Sequence, residues 1–238
     1  MVKRALDLVM AALLLVVAAP ILAAAMLAIW IDDGGPPLYC APRVGRGGRD
    51  FRMLKLRTMT IAADRQGAAS TSRSDARITA IGRLLRTAKI DELPQLWNVL
   101  AGDMSLAGPR PNSRRGGVDH YTAAEMRLLS VRPGITDLAS IVFADEGAIL
   151  DGAADPDALY DALIRPWKSR LGLLYVDHAG FAADLAIIAL TAMALVARPF
   201  ALRGVDAILA RWGASDALRR ASLRHEPLVP APPPGAVA

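Results

Sequence analysis

The dominant feature of the hydrophobic pattern is an apolar run at residues 8–31, 24 residues without a charge. Lys3, Arg4 and Asp7 precede it, and Asp32, Asp33, Gly34 and Gly35 close it. A straight helix of this length measures about 36 Å, enough to cross a hydrocarbon core of roughly 30 Å. A cleaved signal shares the basic start, but its apolar region is only about 7–15 residues. Two readings remain: a straight span, and a helix that enters the bilayer, bends and leaves on the same side. Pro20 lies mid-run, where it removes a backbone hydrogen bond and clashes with the preceding turn. Basic residues flank both ends, Lys3 and Arg4 before and Arg43, Arg46 and Arg49 after. Such residues prefer the cytoplasmic side, and a re-entrant helix bent near Pro20 satisfies both ends.

A second apolar stretch at residues 185–197 is only 13 residues long, too short to span. It reads as a buried core helix or an interfacial one. The surrounding Arg198, Arg203, Arg211, Arg219, Arg220 and Arg224 favour an interfacial helix on an anionic membrane surface. Between the two runs, residues 36–59 alternate around Arg46-Gly47-Gly48-Arg49-Asp50 and predict a hairpin. Residues 66–75 read as a polar loop, and residues 78–88 and 93–100 as helices. Pro109, Pro111 and the Gly116-Gly117 pair break the chain. Residues 122–131 predict a helix with a Thr122…Glu125 capping box, and residues 156–175 a helix with a kink at Pro166. The last twelve residues, PLVPAPPPGAVA, read as a disordered tail. The expected fold is mainly α with a small β element, a monotopic membrane protein with interfacial helices. Its parts are a membrane helix (1–35), a cytosolic or interfacial domain (36–200), a basic C-terminal helix (201–224) and the tail (225–238).

Composition narrows the chemistry. The 238 residues are 53% hydrophobic but only 5% aromatic, so the chain is not disordered. A single cysteine, Cys40, excludes an internal disulfide framework and a cysteine-based zinc site. His120, His178 and His225 are far apart. The +5 net charge rests on a strong arginine bias. There is no G-x-x-x-x-G-K-[ST] loop, no G-x-S-x-G elbow and no H-E-x-x-H. Six basic residues against one acidic between positions 41 and 57 are compatible with nucleic acid, with lipid or with nucleotide phosphate.

The chemistry-bearing stretch is RTAKIDELPQLWNVLAGDMSLAGPRP, residues 86–111. Adjacent carboxylates at a helix start are ordinary capping. Here, however, Arg83, Arg86, Lys89 and Arg110 flank Asp91 and Glu92, and Lys55 and Arg57 come from the hairpin. Carboxylates among cations stay ionised, and such a setting suits phosphate. The pair can hold a hard divalent ion, Mg2+, that also grips a diphosphate.

The ordered series Lys55-Leu56-Arg57-Thr58-Met59, Asp91-Glu92-Leu93-Pro94-Gln95-Leu96-Trp97-Asn98-Val99-Leu100, Gly102-Asp103-Met104-Ser105, Gly108-Pro109-Arg110-Pro111 and Arg132-Pro133-Gly134-Ile135-Thr136 resembles the bacterial sugar transferases. These are monotopic phosphoglycosyl transferases acting on polyprenyl phosphate, and the resemblance runs from about residue 2 to 196. It implies that a UDP-sugar gives its sugar phosphate to undecaprenyl phosphate and releases UMP, at the cytoplasmic face of the bacterial inner membrane. It also implies Asp91 as nucleophile, forming a phosphosugar-aspartyl intermediate. Glu92 would assist with Mg2+ or acceptor, and Lys55, Arg57, Arg86, Arg110 and Arg132 would line the phosphate site. UDP-sugar, undecaprenyl phosphate and membrane lipids are the implied partners; nucleic acid is not, and a homo-oligomer stays open. Two departures stand out: Ala19 where many members place Ser before the central proline, and residues 137–150, which leave the common pattern. Other readings are an inactive membrane-anchored scaffold and a single-span protein that binds nucleic acid through its basic hairpin. Intact Asp91, Glu92, Lys55, Arg57 and Arg110 argue against the scaffold.

Overall fold

The computed structural model describes residues 2–63, 70–115 and 117–236. Residues 66–69 of the expected polar loop and Gly116 of the expected break lie outside them. The protein is mostly helical, with two short two-stranded sheets. The apolar run forms α1 (Val2–Asp33), which stays helical through Pro20. One stripe of α1, Asp7, Ala11, Ala18, Ala25 and Ile29, is buried. Its small side chains let the body approach closely: Ala11 packs with Leu96, Val99 and Met104, and Ala25 and Ile29 pack with Leu56 and Leu85. The other faces leave Val9, Leu13, Val16, Val17, Leu27 and Trp30 exposed.

The hairpin follows. β1 (Leu38–Val44) pairs antiparallel with β2 (Asp50–Leu56), Leu38 opposite Leu56 and Val44 opposite Asp50. Gly47 and Gly48 turn the chain at φ +69° and +76°, the left-handed region that glycine enters without a Cβ penalty. α2 (Ala80–Thr87) is capped by Thr79, whose hydroxyl accepts from the Gly82 N–H. α3 (Gln95–Ala101) ends at Gly102, φ +98°. The second sheet is parallel: β3 (Ser105–Ala107) lies against β4 (Gly134–Thr136). A Cβ on Gly134 would fall 2.2 Å from the Gly108 nitrogen, and one on Gly108 2.5 Å from the Arg132 carbonyl oxygen. The Gly-Pro-Arg-Pro and Arg-Pro-Gly motifs thus need glycine where their backbones meet.

The larger core forms from α4 (Leu138–Val142), α5 (Glu146–Ile149), α6 (Pro156–Leu163), α7 (Arg165–His178), α8 (Phe181–Arg211) and α9 (Asp216–Leu223). Leu138, Ile141, Leu171, Tyr175, Ile187, Val205 and Leu209 are buried within it. The expected kink near Pro166 is a break at Ile164 between α6 and α7, with Pro166 in the first turn of α7. Residues 122–131 differ from expectation. The capping box forms, the Thr122 N–H donating to Glu125 and the Glu125 N–H to the Thr122 hydroxyl, but the element is a 3₁₀ segment at Glu125–Ser130.

The second apolar stretch also differs. It belongs to a 31-residue helix, bent at Ala197 (φ −145°, ψ 67°) ahead of Pro199. Proline cannot donate to the preceding turn, so the axis breaks while helicity resumes. The stretch is only partly in the core: Ile187 is buried, while Leu185, Met193, Leu195 and Val196 are exposed. By length and composition both α1 and α8 can cross a membrane. α8 runs across residue 200, so the stretches on either side share one helix. The tail runs against the body, with Leu228 and Ala231 packed on the core. Its carbonyls at Val229, Pro232 and Pro234 accept from Trp167, Arg170 and Thr122.

The start of α1 is stapled to this core. Lys3 Nζ donates to the Ala107 carbonyl and the Tyr175 hydroxyl, both at 3.2 Å, and pairs with Asp184. Buried Asp7 accepts from the Ser105 hydroxyl at 2.9 Å and the Leu106 N–H at 3.0 Å.

Candidate active site

Asp91 and Glu92 sit on a single 3₁₀ turn, Ile90–Glu92, entered through Lys89 in the left-handed region at φ +58°. Leu93 and Pro94 keep a helical backbone into α3. Asn98 of α3 fixes the hairpin beside this turn: its amide nitrogen donates to the Arg52 carbonyl and its oxygen accepts from the Leu54 N–H, both at 2.8 Å. The adjoining Lys55 thereby reaches Glu92, 3.5 Å from Nζ to Oε1. Arg110, just beyond β3, grips the same carboxylate with both Nη atoms, Nη1 to Oε2 at 3.0 Å. Nη1 also donates to the Ile135 carbonyl at 3.3 Å.

The two carboxylates therefore differ. Burial pushes the Glu92 carboxyl up, but Arg110 and Lys55 outweigh it and hold it at about 2. Burial pushes Asp91 up as well, the Glu92 charge adds to it, and Lys55, Arg86 and Lys89 pull back without cancelling the rise. Asp91 is 7% exposed, and among the described residues no hydrogen bond or ion pair engages its carboxylate. Burial, and Arg110 nearby, bring the Lys55 ammonium down to about 8. Four residues after Asp91, and so on the same helical face, Gln95 is fully buried with neither end of its amide hydrogen-bonded.

Of the residues singled out in sequence, the fold brings Lys55, Arg86, Asp91, Glu92 and Arg110 together; Arg86 Nε donates to Thr58 and its charge is felt at Asp91. Two others lie apart. Arg57 is buried against Asp33, both Nη atoms at 2.5 Å, with Nε on the Pro36 carbonyl at 2.7 Å. It fastens the end of α1 to the hairpin. Arg132 donates to the Gly102 carbonyl at 3.1 Å. The sequence reading named Arg43 only as a basic residue flanking the membrane run; it lies on β1 within the fields of Arg110 and Tyr160. Its only sequence signal was that positions 43 and 55 can share a face of a hairpin.

Magnesium bonds hard oxygens, commonly one or two carboxylates plus substrate phosphates. Asp91 offers a free carboxylate, whereas both Glu92 oxygens are taken by cations. Among the described residues no three acidic, histidine or cysteine side chains cluster as a metal cage. The donor set fits an ion that is completed by a diphosphate and held by Asp91, rather than one caged by the protein.

A buried carboxylate among cations thus stands on a body built against two helices long and apolar enough to cross a membrane. The chain belongs to the bacterial sugar transferase family, which it matches over residues 1–198. It is 49% identical over 142 residues to the "UDP-glucose:undecaprenyl-phosphate glucose-1-phosphate transferase" of Caulobacter vibrioides, covering 58% of this chain and 53% of that one. It is 48% identical over 145 residues to the "Undecaprenyl-phosphate glucose phosphotransferase" of Komagataeibacter xylinus, 58% of this chain and 27% of that one. A longer match, 36% over 189 residues, is to "Uncharacterized sugar transferase EpsL" of Bacillus subtilis, covering 79% and 84%. The chain spans about half the length of the Caulobacter relative and about a quarter of the Komagataeibacter one.

Proposed function

We propose that this protein moves a sugar phosphate from a UDP-sugar to undecaprenyl phosphate, releasing UMP, and so begins the assembly of a cell-surface glycan. The observation that carries the reading is the contrast within the acidic pair: Glu92 is neutralised by Arg110 and Lys55, while Asp91 is buried, unengaged and surrounded by Lys55, Arg86 and Lys89. A desolvated carboxylate is a stronger nucleophile than a hydrated one. An Asp91 oxygen attacks the β-phosphorus of the donor, the bond to the bridging oxygen breaks, and UMP leaves with the electron pair. The phosphosugar is then an acyl phosphate on Asp91. A phosphate oxygen of undecaprenyl phosphate attacks the same phosphorus, restoring the carboxylate and forming the diphosphate. Two displacements replace one difficult step. Lys55, Arg86 and Arg110 stabilise the charge on the transferred group. Magnesium held by Asp91 and the diphosphate would supply further charge neutralisation, and chelation with EDTA then stops UMP release.

Re-entry of α1 belongs to the same proposal. Both its ends are bonded to one body, Lys3 to Ala107 and Asp184, and Asp33 to Arg57. A straight span would carry one end to the far side of the bilayer, away from that body. A helix that dips and returns places the site at the cytoplasmic face, beside nucleotide donors and anionic lipids. The test is Asp91→Asn, which keeps shape and removes the charge. Turnover falls by orders of magnitude, and mass spectrometry of wild type with UDP-glucose alone finds a phosphohexose on Asp91. Near-normal turnover of the Asn variant refutes the assignment.

A further inference from the structure

A shallow cleft open to solvent adjoins the carboxylate site and shares Arg110 with it. Its walls come from α4, α6, α7 and the segment after β3, and include Asp137, Ser140, Tyr160 and Lys168. Arg110 faces both ways. Its guanidinium holds Glu92, while its backbone N–H donates to Asp137 Oδ2 at 3.3 Å. Asp137 Oδ1 takes the Ser140 N–H and hydroxyl, each at 2.6 Å, so this carboxylate is fixed in direction. Lys168 is paired with Glu146 and lies 5.3 Å from the centre of the Tyr160 ring. The Tyr160 hydroxyl has no hydrogen-bond partner among the described residues, although every neighbouring polar wall group is engaged. A cleft walled by a fixed carboxylate, an ammonium, a phenol and its ring repels a polyprenyl chain. It offers hydrogen bonds of both senses and an aromatic surface, which is what a polyhydroxyl ring needs. Arg110 stands at the junction of this cleft and the carboxylate site.

We infer that the cleft receives the glycosyl ring of the sugar nucleotide, and that the Tyr160 hydroxyl is a specificity contact to it. The inference rests on the proposed reaction, which places the donor diphosphate at Asp91 and Arg110. Three cleft walls, Asp137, Ala139 and Ser140, lie in the stretch 137–150.

The test is binding to protein that does not turn over: Asp91→Asn compared with Asp91→Asn plus Tyr160→Phe, titrated with UDP-glucose, UDP-galactose, UDP-N-acetylgalactosamine and UMP. Tyr160→Phe keeps the ring under Lys168 and removes only a hydroxyl with no protein partner, so thermal melting should be unchanged. Loss of one hydrogen bond corresponds to about a 3- to 10-fold change. The tightest-binding UDP-sugar should weaken by that factor and lose its advantage over the other two, with UMP affinity unmoved. Equal weakening of UMP and UDP-sugars places the nucleotide in the cleft and overturns the inference. No change for any ligand shows a solvent-filled cleft and overturns it too. Because these titrations need no turnover, an inactive wild type that still shows the sugar-selective loss would refute the reaction and leave the cleft assignment standing.

Discussion

Replacing Arg110 by lysine keeps one positive charge and removes the planar fork. In the structure the guanidinium makes two bonds to Glu92, Nη1–Oε2 at 3.0 Å and the shorter Nη2–Oε1 bond, and a third to the Ile135 carbonyl at 3.3 Å. A lysine ammonium is a single point and satisfies one Glu92 oxygen at a time. A hydrogen bond to a charged group contributes about 1.5–3 kcal/mol when well shielded. The two side chains are 29% and 22% exposed, so solvent screening reduces the loss to about 1–2 kcal/mol. Carried in full into the transition state, that loss lowers kcat/KM about 5- to 30-fold. Glu92 also loses part of what holds its carboxyl at about 2, so the acid limb of the pH profile moves upward. The assay is UMP release in nanodiscs with undecaprenyl phosphate and a UDP-sugar, with melting measured alongside. Full activity of Arg110→Lys with an unmoved acid limb would refute the reasoning.

Lys55, brought down to about 8 by burial and by Arg110, is charged below that value and neutral above it. Activity that needs its charge therefore declines as pH rises through about 8, and Lys55→Arg, if it retains turnover, should carry the plateau past pH 9. Asp7→Ala strands the Ser105 hydroxyl and the Leu106 N–H in a buried place, costing about 2–4 kcal/mol and visible as a lower melting temperature. For topology, cysteines at the exposed positions Val2 and Asp32 in a Cys40→Ser background should both be spared by an impermeant thiol reagent in intact cells and labelled after permeabilisation. Labelling of the Val2 position in intact cells would show that α1 crosses.

Much of this was legible because it is local. Alternation around Arg46-Gly47-Gly48 specified the hairpin, and the ordered Asp-Glu-Leu-Pro and Gly-Pro-Arg-Pro motifs specified where the carboxylates and Arg110 would stand. What escaped was partnership at long range. Arg57 reads in sequence as one more phosphate cation, and only the fold brings it to Asp33. α8 was cut short because Arg198 and Pro199 end the uncharged run, yet Ala201, Leu202, Val205 and Leu209 are buried and continue the helix. The tail is held by scattered contacts, Leu228 and Ala231 on the core and the carbonyls of Val229, Pro232 and Pro234 on distant donors, and no compositional pattern reports where a carbonyl will find a donor.

The staple at Lys3 has a consequence in time. A chain emerges from the ribosome N-terminus first, at about 5–20 residues per second, and Asp184 lies 181 residues after Lys3. On that clock Lys3 is made roughly 9–36 s before Asp184. During the interval the Lys3 ammonium is a bare positive charge at the head of an apolar segment, the kind that retains a membrane helix's first end in the cytoplasm. Once α7 and α8 arrive, Tyr175, Asp184 and the Ala107 carbonyl capture it. On the proposed topology one side chain thus acts twice, first as an orientation signal for α1 and afterwards as the clasp that ties α1 to α7 and α8.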